Sequence, residues 1–127
     1  MNQNDFKKCT KAFALRDINL VESLTDTETA NVMGKQLLRC GTSVDANYRA
    51  ACRGRSRADL ISRMGIVEEE CDESISWMEL LIKSRQVKAS CLSDLIKEAG
   101  ELLALVVASI KTARVRNNPQ LAIRNPK

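Results

Sequence analysis

Apolar positions recur along the chain at steps of three and four almost without interruption, and no stretch alternates as a strand does. Phe6, Phe13, Leu20 and Leu24 mark a first helix from about Asp5 to Ser23. Thr25-Asp26-Thr27-Glu28 reads as a turn in which Thr27 caps the next helix. That second helix runs from about Glu28 to Arg53, with Ala30, Met33, Leu37, Cys40, Val44, Asn47 and Ala51 on one face. Gly34 and Gly41 lie beside this face, where a missing side chain lets a neighbouring helix approach. Gly41 in mid-helix costs about 1 kcal/mol against Ala, so either packing compensates or the helix breaks briefly at Gly41-Thr42-Ser43.

Ser56 is suited to cap a third helix, with Asp59 three residues on. Leu60, Met64, Val67, Cys71, Ser74, Met78 and Leu81 then keep the spacing of a bundle seam as far as about Ser84. A fourth helix starts near Ser90 and continues through Leu92, Leu95, Ala99, Leu102, Val106 and Ala113 to about Arg114. Four helices with short connections predict an all-α fold, an antiparallel up-down-up-down four-helix bundle over 1–116 with a flexible basic tail at 117–127.

Composition narrows the chemistry. The chain has 127 residues, enough for one domain with a real core, and its scarcity of Gly, Pro and aromatic residues suits helices. Five cysteines, at 9, 40, 52, 71 and 91, form no Cys-x-x-Cys pair. They read as reduced thiols, with Cys40 and Cys71 in the core. There is no histidine, which removes Ser-His-Asp and Cys-His catalysis and histidine metal ligation. No metal or cofactor is expected. Met1 to Lys8 contains no apolar signal region, and the longest apolar run, Leu102 to Ala108, falls far below the roughly 20 residues that span a bilayer. A soluble, cytoplasmic protein with no membrane partner is the expectation.

On a helical projection the third helix turns Glu68, Glu69, Asp72, Ser76 and Glu79 to solvent. A second arc holds Ile66, Trp77 and Leu80 together with Glu70 and Glu73. The matching arc of the second helix carries Gln36, Arg39, Ser43, Ala46, Asn47 and Ala50. With a turn near residue 55, antiparallel helices bring Arg39 level with Glu70 and Glu73, which predicts an ion pair at mid-bundle. Paired carboxylates can serve acid–base catalysis. A pair that holds helix register or subunit contacts is the favoured reading here. Apolar Ile66, Trp77 and Leu80 outside the seam point to self-association.

Charge is distributed unevenly. The end that gathers the N-terminus, the second turn and the end of the fourth helix holds Lys7, Lys8, Lys11, Arg49, Arg53, Arg55, Arg57, Arg63, Lys111, Arg114, Arg116, Arg124 and Lys127. Only Asp5 and Asp59 oppose them, so this end carries +11 and the remainder −7 within a net charge of +4. A concentrated basic surface is the footprint of phosphate-backbone binding, and few aromatics are at hand for base stacking. Arg49, Arg53, Arg55, Arg57, Arg63, Lys111, Arg114 and Arg116 are the candidate nucleic-acid contacts.

Three stretches, Gly34 to Arg53, Ser56 to Ile61 and Gly65 to Leu81, together resemble the four-helix bundle proteins known as 23S ribosomal RNA intervening-sequence proteins. The likeness extends through Ala108 to Arg114, and Arg39, Ser43, Asn47, Glu70, Glu73 and Trp77 all stand where that pattern has them. Three positions depart: Asp45 and Gly54, where small residues (usually Gly and Ala) are expected, and Asp17, where an aliphatic one is. The resemblance implies a closed homo-oligomer, a ring of five bundles. It also implies similarity to the accessory protein of diversity-generating retroelements, which works with a reverse transcriptase and RNA.

The leading expectation is therefore a non-enzymatic homopentamer that binds RNA, ribosomal or of retroelement type, or a ribonucleoprotein, through its basic end. The alternative is a protein-interaction scaffold whose basic end meets an acidic protein partner. Under either reading Arg39, Ser43, Asn47, Glu70, Glu73 and Trp77 form a structural polar stripe and oligomer contact.

Overall fold

The computed structural model describes residues 2–117 and contains four helices: α1 (Gln3–Glu22), α2 (Glu28–Cys52), α3 (Arg57–Lys83) and α4 (Ala89–Asn117). Among these residues there is no strand. The tail expected at 117–127 lies outside them except for Asn117, which is helical, so α4 runs three residues past the expected end.

Local chemistry sets the helix starts. Asp5 N–H donates to Asn2 Oδ1 at 2.9 Å, and Asn2 N–H reaches back toward Asp5 Oδ2. This reciprocal capping box begins α1 two residues earlier than the apolar pattern alone indicates. Thr27 accepts from Ala30 N–H at 3.0 Å and Ser56 from Asp59 N–H at 3.1 Å, so α2 and α3 start where their caps predict. At the end of α3, Arg85 N–H bonds to Ile82 O and Gln86 N–H to Leu81 O, both at 2.9 Å. That arrangement requires Arg85 in the left-handed region, with φ 62°. Glycine bears this conformation without strain, so Arg85→Gly should raise the denaturation midpoint by a stability of about 0.5–1 kcal/mol.

Each helix packs on its chain neighbours, and α1 also meets α4. Contacts descend along one helix as they ascend the other. Thr10 bonds to Asp45 while Asp17 lies against Gly41 and Val21 against Gly34, and Arg39 pairs with Glu73 while Met33 meets Ser84. So α1 and α2, and α2 and α3, run antiparallel. The five-residue connection Ser84–Lys88 is compatible with the same relation between α3 and α4, completing an up-down-up-down order.

The seam of α3 is buried as its spacing predicts, from Met64 and Val67 through Cys71, Ser74 and Met78 to Leu81. Two expected seam positions of α2, Met33 and Asn47, are only partly buried. Next to Asn47, Tyr48 is buried in the core, stacked on Phe6 with centroids 4.3 Å apart. α2 is also continuous through Gly41.

The reason for Gly41 is Asp17. This aspartate is fully buried, and neither carboxyl oxygen has a hydrogen-bond partner. A Cβ on Gly41 would sit 1.8 Å from Asp17 Oδ2, so the carboxyl group occupies the space the glycine leaves open. Removal from water, and next the nearby Glu98 charge, push the Asp17 carboxyl up from 3.8 to about 8. Asp17 is therefore a neutral acid at pH 7, held between α1 and α2 where the family resemblance implies an aliphatic side chain.

Candidate nucleic-acid interface and polar stripe

The turn between α2 and α3 bears a trench whose shape follows from helical spacing. Ala46 and Ala50, four apart on α2, are too short to fill the space between the helices. Arg49 and Arg53, also four apart, rise on one side, and Asp59 and Arg63 rise on the other. Arg55, in the turn, joins them to line a cavity of about 390 Å³. Asp59 is the single carboxylate in this lining. Its Oδ2 accepts from Arg55 N–H at 3.3 Å and its Oδ1 lies 3.9 Å from Arg63 Nε.

Of the eight candidate contacts, Arg49, Arg53, Arg55 and Arg63 come together here. Arg57 does not line the trench. Lys111, Arg114 and Arg116 are exposed near the C-terminal end of α4. The position of one charge differs from expectation. Asp45 bonds to Thr10 at 3.0 Å and pairs with Lys11 at 3.2 Å, so it belongs with the basic end and reduces the +11 by one. Both contacts cross from α1 to α2, which gives this departure from the family pattern a packing role.

The polar stripe lies further along the same two helices. Arg39 Nη1 donates to Glu70 Oε2 at 3.1 Å and Nη2 to Glu73 Oε2, while Nε donates to Gln36 Oε1 at 3.2 Å. Trp77 Nε1 donates to the same Glu73 oxygen at 3.0 Å. That indole bond first, then the Cys40 thiol and Arg39, hold the Glu73 carboxyl below the ordinary glutamate range. Asn47 Nδ2 donates to Ser43 O and Oγ at 2.9 and 2.8 Å, within α2 and apart from the ion pair. The stripe is thus two clusters.

Cys40 Sγ and carboxylate oxygens of Glu70 and Glu73 lie within 4.8 Å of one another, a spacing that could hold a metal ion. The chemistry does not fit one. Arg39 already contacts all three residues, and burial, with Glu73 next, pushes the Cys40 thiol up to about 12, leaving it protonated. The guanidinium supplies the positive charge that a cation would.

Over residues 2–108 the chain matches the family described as 23S rRNA-intervening sequence protein. The chain belongs to this family. The chain also superposes on a crystal structure from Bacteroides thetaiotaomicron, described as a protein with unknown function from the S23 ribosomal protein family. The two are 35% identical, the match covers 87% of this chain and 99% of that one, and the TM-score is 0.82. No curated protein matches the chain. Neither description names an enzymatic activity. Among the described residues, no helix is long and apolar enough to cross a membrane.

Proposed function

We propose that the protein is a non-enzymatic homo-oligomeric bundle that binds RNA, free or in a ribonucleoprotein, through the arginine trench and the basic end around it. The trench is the observation that carries this reading. Four guanidinium groups surround a concave floor of alanine, and guanidinium forks match the oxygens of phosphate. No aromatic side chain lines it, so contact is with the backbone and not with stacked bases. The family's description, tied to 23S rRNA, is in keeping with such a ligand. Acid–base catalysis by the stripe is disfavoured, since Glu73 is tied by Trp77 and Arg39 and its carboxyl is shifted away from neutrality.

Four phosphate contacts give a defined salt dependence. Affinity for a ribosomal or an unrelated RNA should fall roughly 50- to 150-fold between about 50 and 200 mM salt, in parallel for both. A flat response, or no binding at low salt, would sink the RNA reading and favour a protein partner. Arg53→Ala combined with Arg55→Ala should weaken binding about tenfold without changing the oligomer mass, and Arg57→Ala should do less.

Self-association is proposed through α3. Ile66 and Leu80 are 38% and 41% exposed, beside half-buried Trp77 and the Arg39 cluster. An apolar patch next to organised charges is how subunit contacts are built. A ring of five would repeat the basic end around one rim. Light scattering should give a mass several times the 14.1 kDa of the chain, and Arg39→Ala, which leaves Glu70 and Glu73 without their cation, should lower it. A monomer mass for the unaltered protein defeats the ring.

A further inference from the structure

We propose that the arginine trench seats a terminal phosphomonoester, the phosphorylated end of an RNA strand, in preference to the phosphodiester backbone passing across it. This rests on the RNA reading above and adds which part of the RNA the trench receives. The trench is short. Ala46 to Arg53 spans about 10 Å of α2 at 1.5 Å per residue. At one end the turn closes it with Arg55. Toward the other, the arc of α3 that carries Arg63 continues to Glu70 and Glu73, two carboxylates that share the single cation Arg39. A strand continuing along the trench would bring its next phosphates onto these carboxylates. A strand that ends in the trench meets no such repulsion.

Size and charge agree with this. A cavity of about 390 Å³ is at the small end for ligand sites, the scale of a terminal nucleotide. A phosphomonoester carries nearly two negative charges at neutral pH and offers three free oxygens to the forks of Arg49, Arg53 and Arg63. A phosphodiester carries one charge and offers two. The lining sets four guanidinium groups against the one carboxylate of Asp59, so it is net positive and a dianion gains more by entering than a monoanion does.

The test uses the full chain and one RNA 12-mer in three forms, with a 5′-phosphate, with a 3′-phosphate and with hydroxyls at both ends, at one salt concentration. One phosphorylated form should bind at least tenfold tighter than the hydroxyl form, and which one it is identifies the end. The advantage should disappear in Arg49→Ala/Arg63→Ala, two exposed side chains whose loss should leave the thermal melt unchanged, and should persist at least in part in the charge-conserving Arg49→Lys/Arg63→Lys. Equal affinity for all three forms overturns the proposal and leaves the RNA reading standing. No binding of any form overturns both. Adenosine monophosphate binding more tightly than the phosphorylated RNA would assign the seat to free mononucleotides and likewise overturn it.

Discussion

Asp17→Asn should leave stability at pH 4 nearly unchanged and raise it by roughly 4 kcal/mol at pH 7, three pH units at about 1.36 kcal/mol each. The sign follows from proton counting. In the unfolded chain the Asp17 carboxyl loses its proton near 3.8, whereas in the folded bundle it keeps it to about 8. Between those values the folded state holds the extra proton, so stability falls as pH rises, and above about 8 the loss is complete. Below 3.8 both states are protonated and the acid costs no more than the amide that replaces it. The groups that bear on Asp17 are Glu98 on α4, itself paired with Arg16, and the Cys71 thiol on α3; on α2 it faces Gly41, which has no charge. Urea unfolding of both proteins at pH 4, 6 and 8 reads the effect as a difference, in which all other titrations cancel. Parallel curves would mean that Asp17 is ionised in the folded protein or reached by water.

The same residue shows what could be read from the sequence and what could not. α3 was legible because its core positions repeat without a break and because burial of an apolar side chain depends on its own helix. Caps were legible too, since Thr27 and Ser56 act within three residues. Even the Arg39 cluster followed from counting outward from the turn, because two rigid antiparallel helices fix which residues are level. Burial of Thr10, Asp17 and Tyr48 depends instead on partners distant in the chain. Thr10 is buried against Asp45, Tyr48 against Phe6, and Asp17 in the gap that Gly41 leaves.

The trench lies between these cases. Its arginines could be named from charge alone, but its concavity comes from Ala46 and Ala50, which say nothing until α3 is placed beside them. Arg57 shows the limit of reasoning from proximity in sequence. It is two residues from Arg55 and from Asp59, yet a step of two on a helix turns a side chain by about 200°, and it does not join the lining.

Gly41→Ala should destabilise the bundle by about 2–3 kcal/mol, although the same change in an open helix gains about 1 kcal/mol. The new methyl carbon would sit 1.8 Å from Asp17 Oδ2, 2.7 Å from Cγ and 3.0 Å from Cβ. The last two are not the free end of a flexible chain, and a fully buried side chain has no vacant rotamer to take, so the helices must separate. Two other glycines provide the comparison. No atom lies within 4 Å of a Cβ built on Gly65 or Gly100, so alanine there should add up to about 1 kcal/mol. Asp17→Ala removes the carboxyl group and empties the space into which the Gly41→Ala methyl projects. The double variant should therefore be more stable than the sum of the single changes, by about 2 kcal/mol, when all four proteins are unfolded in denaturant at one pH. Additive effects would show that Gly41 is there for another reason, and that Asp17 does not owe its burial to the missing side chain opposite.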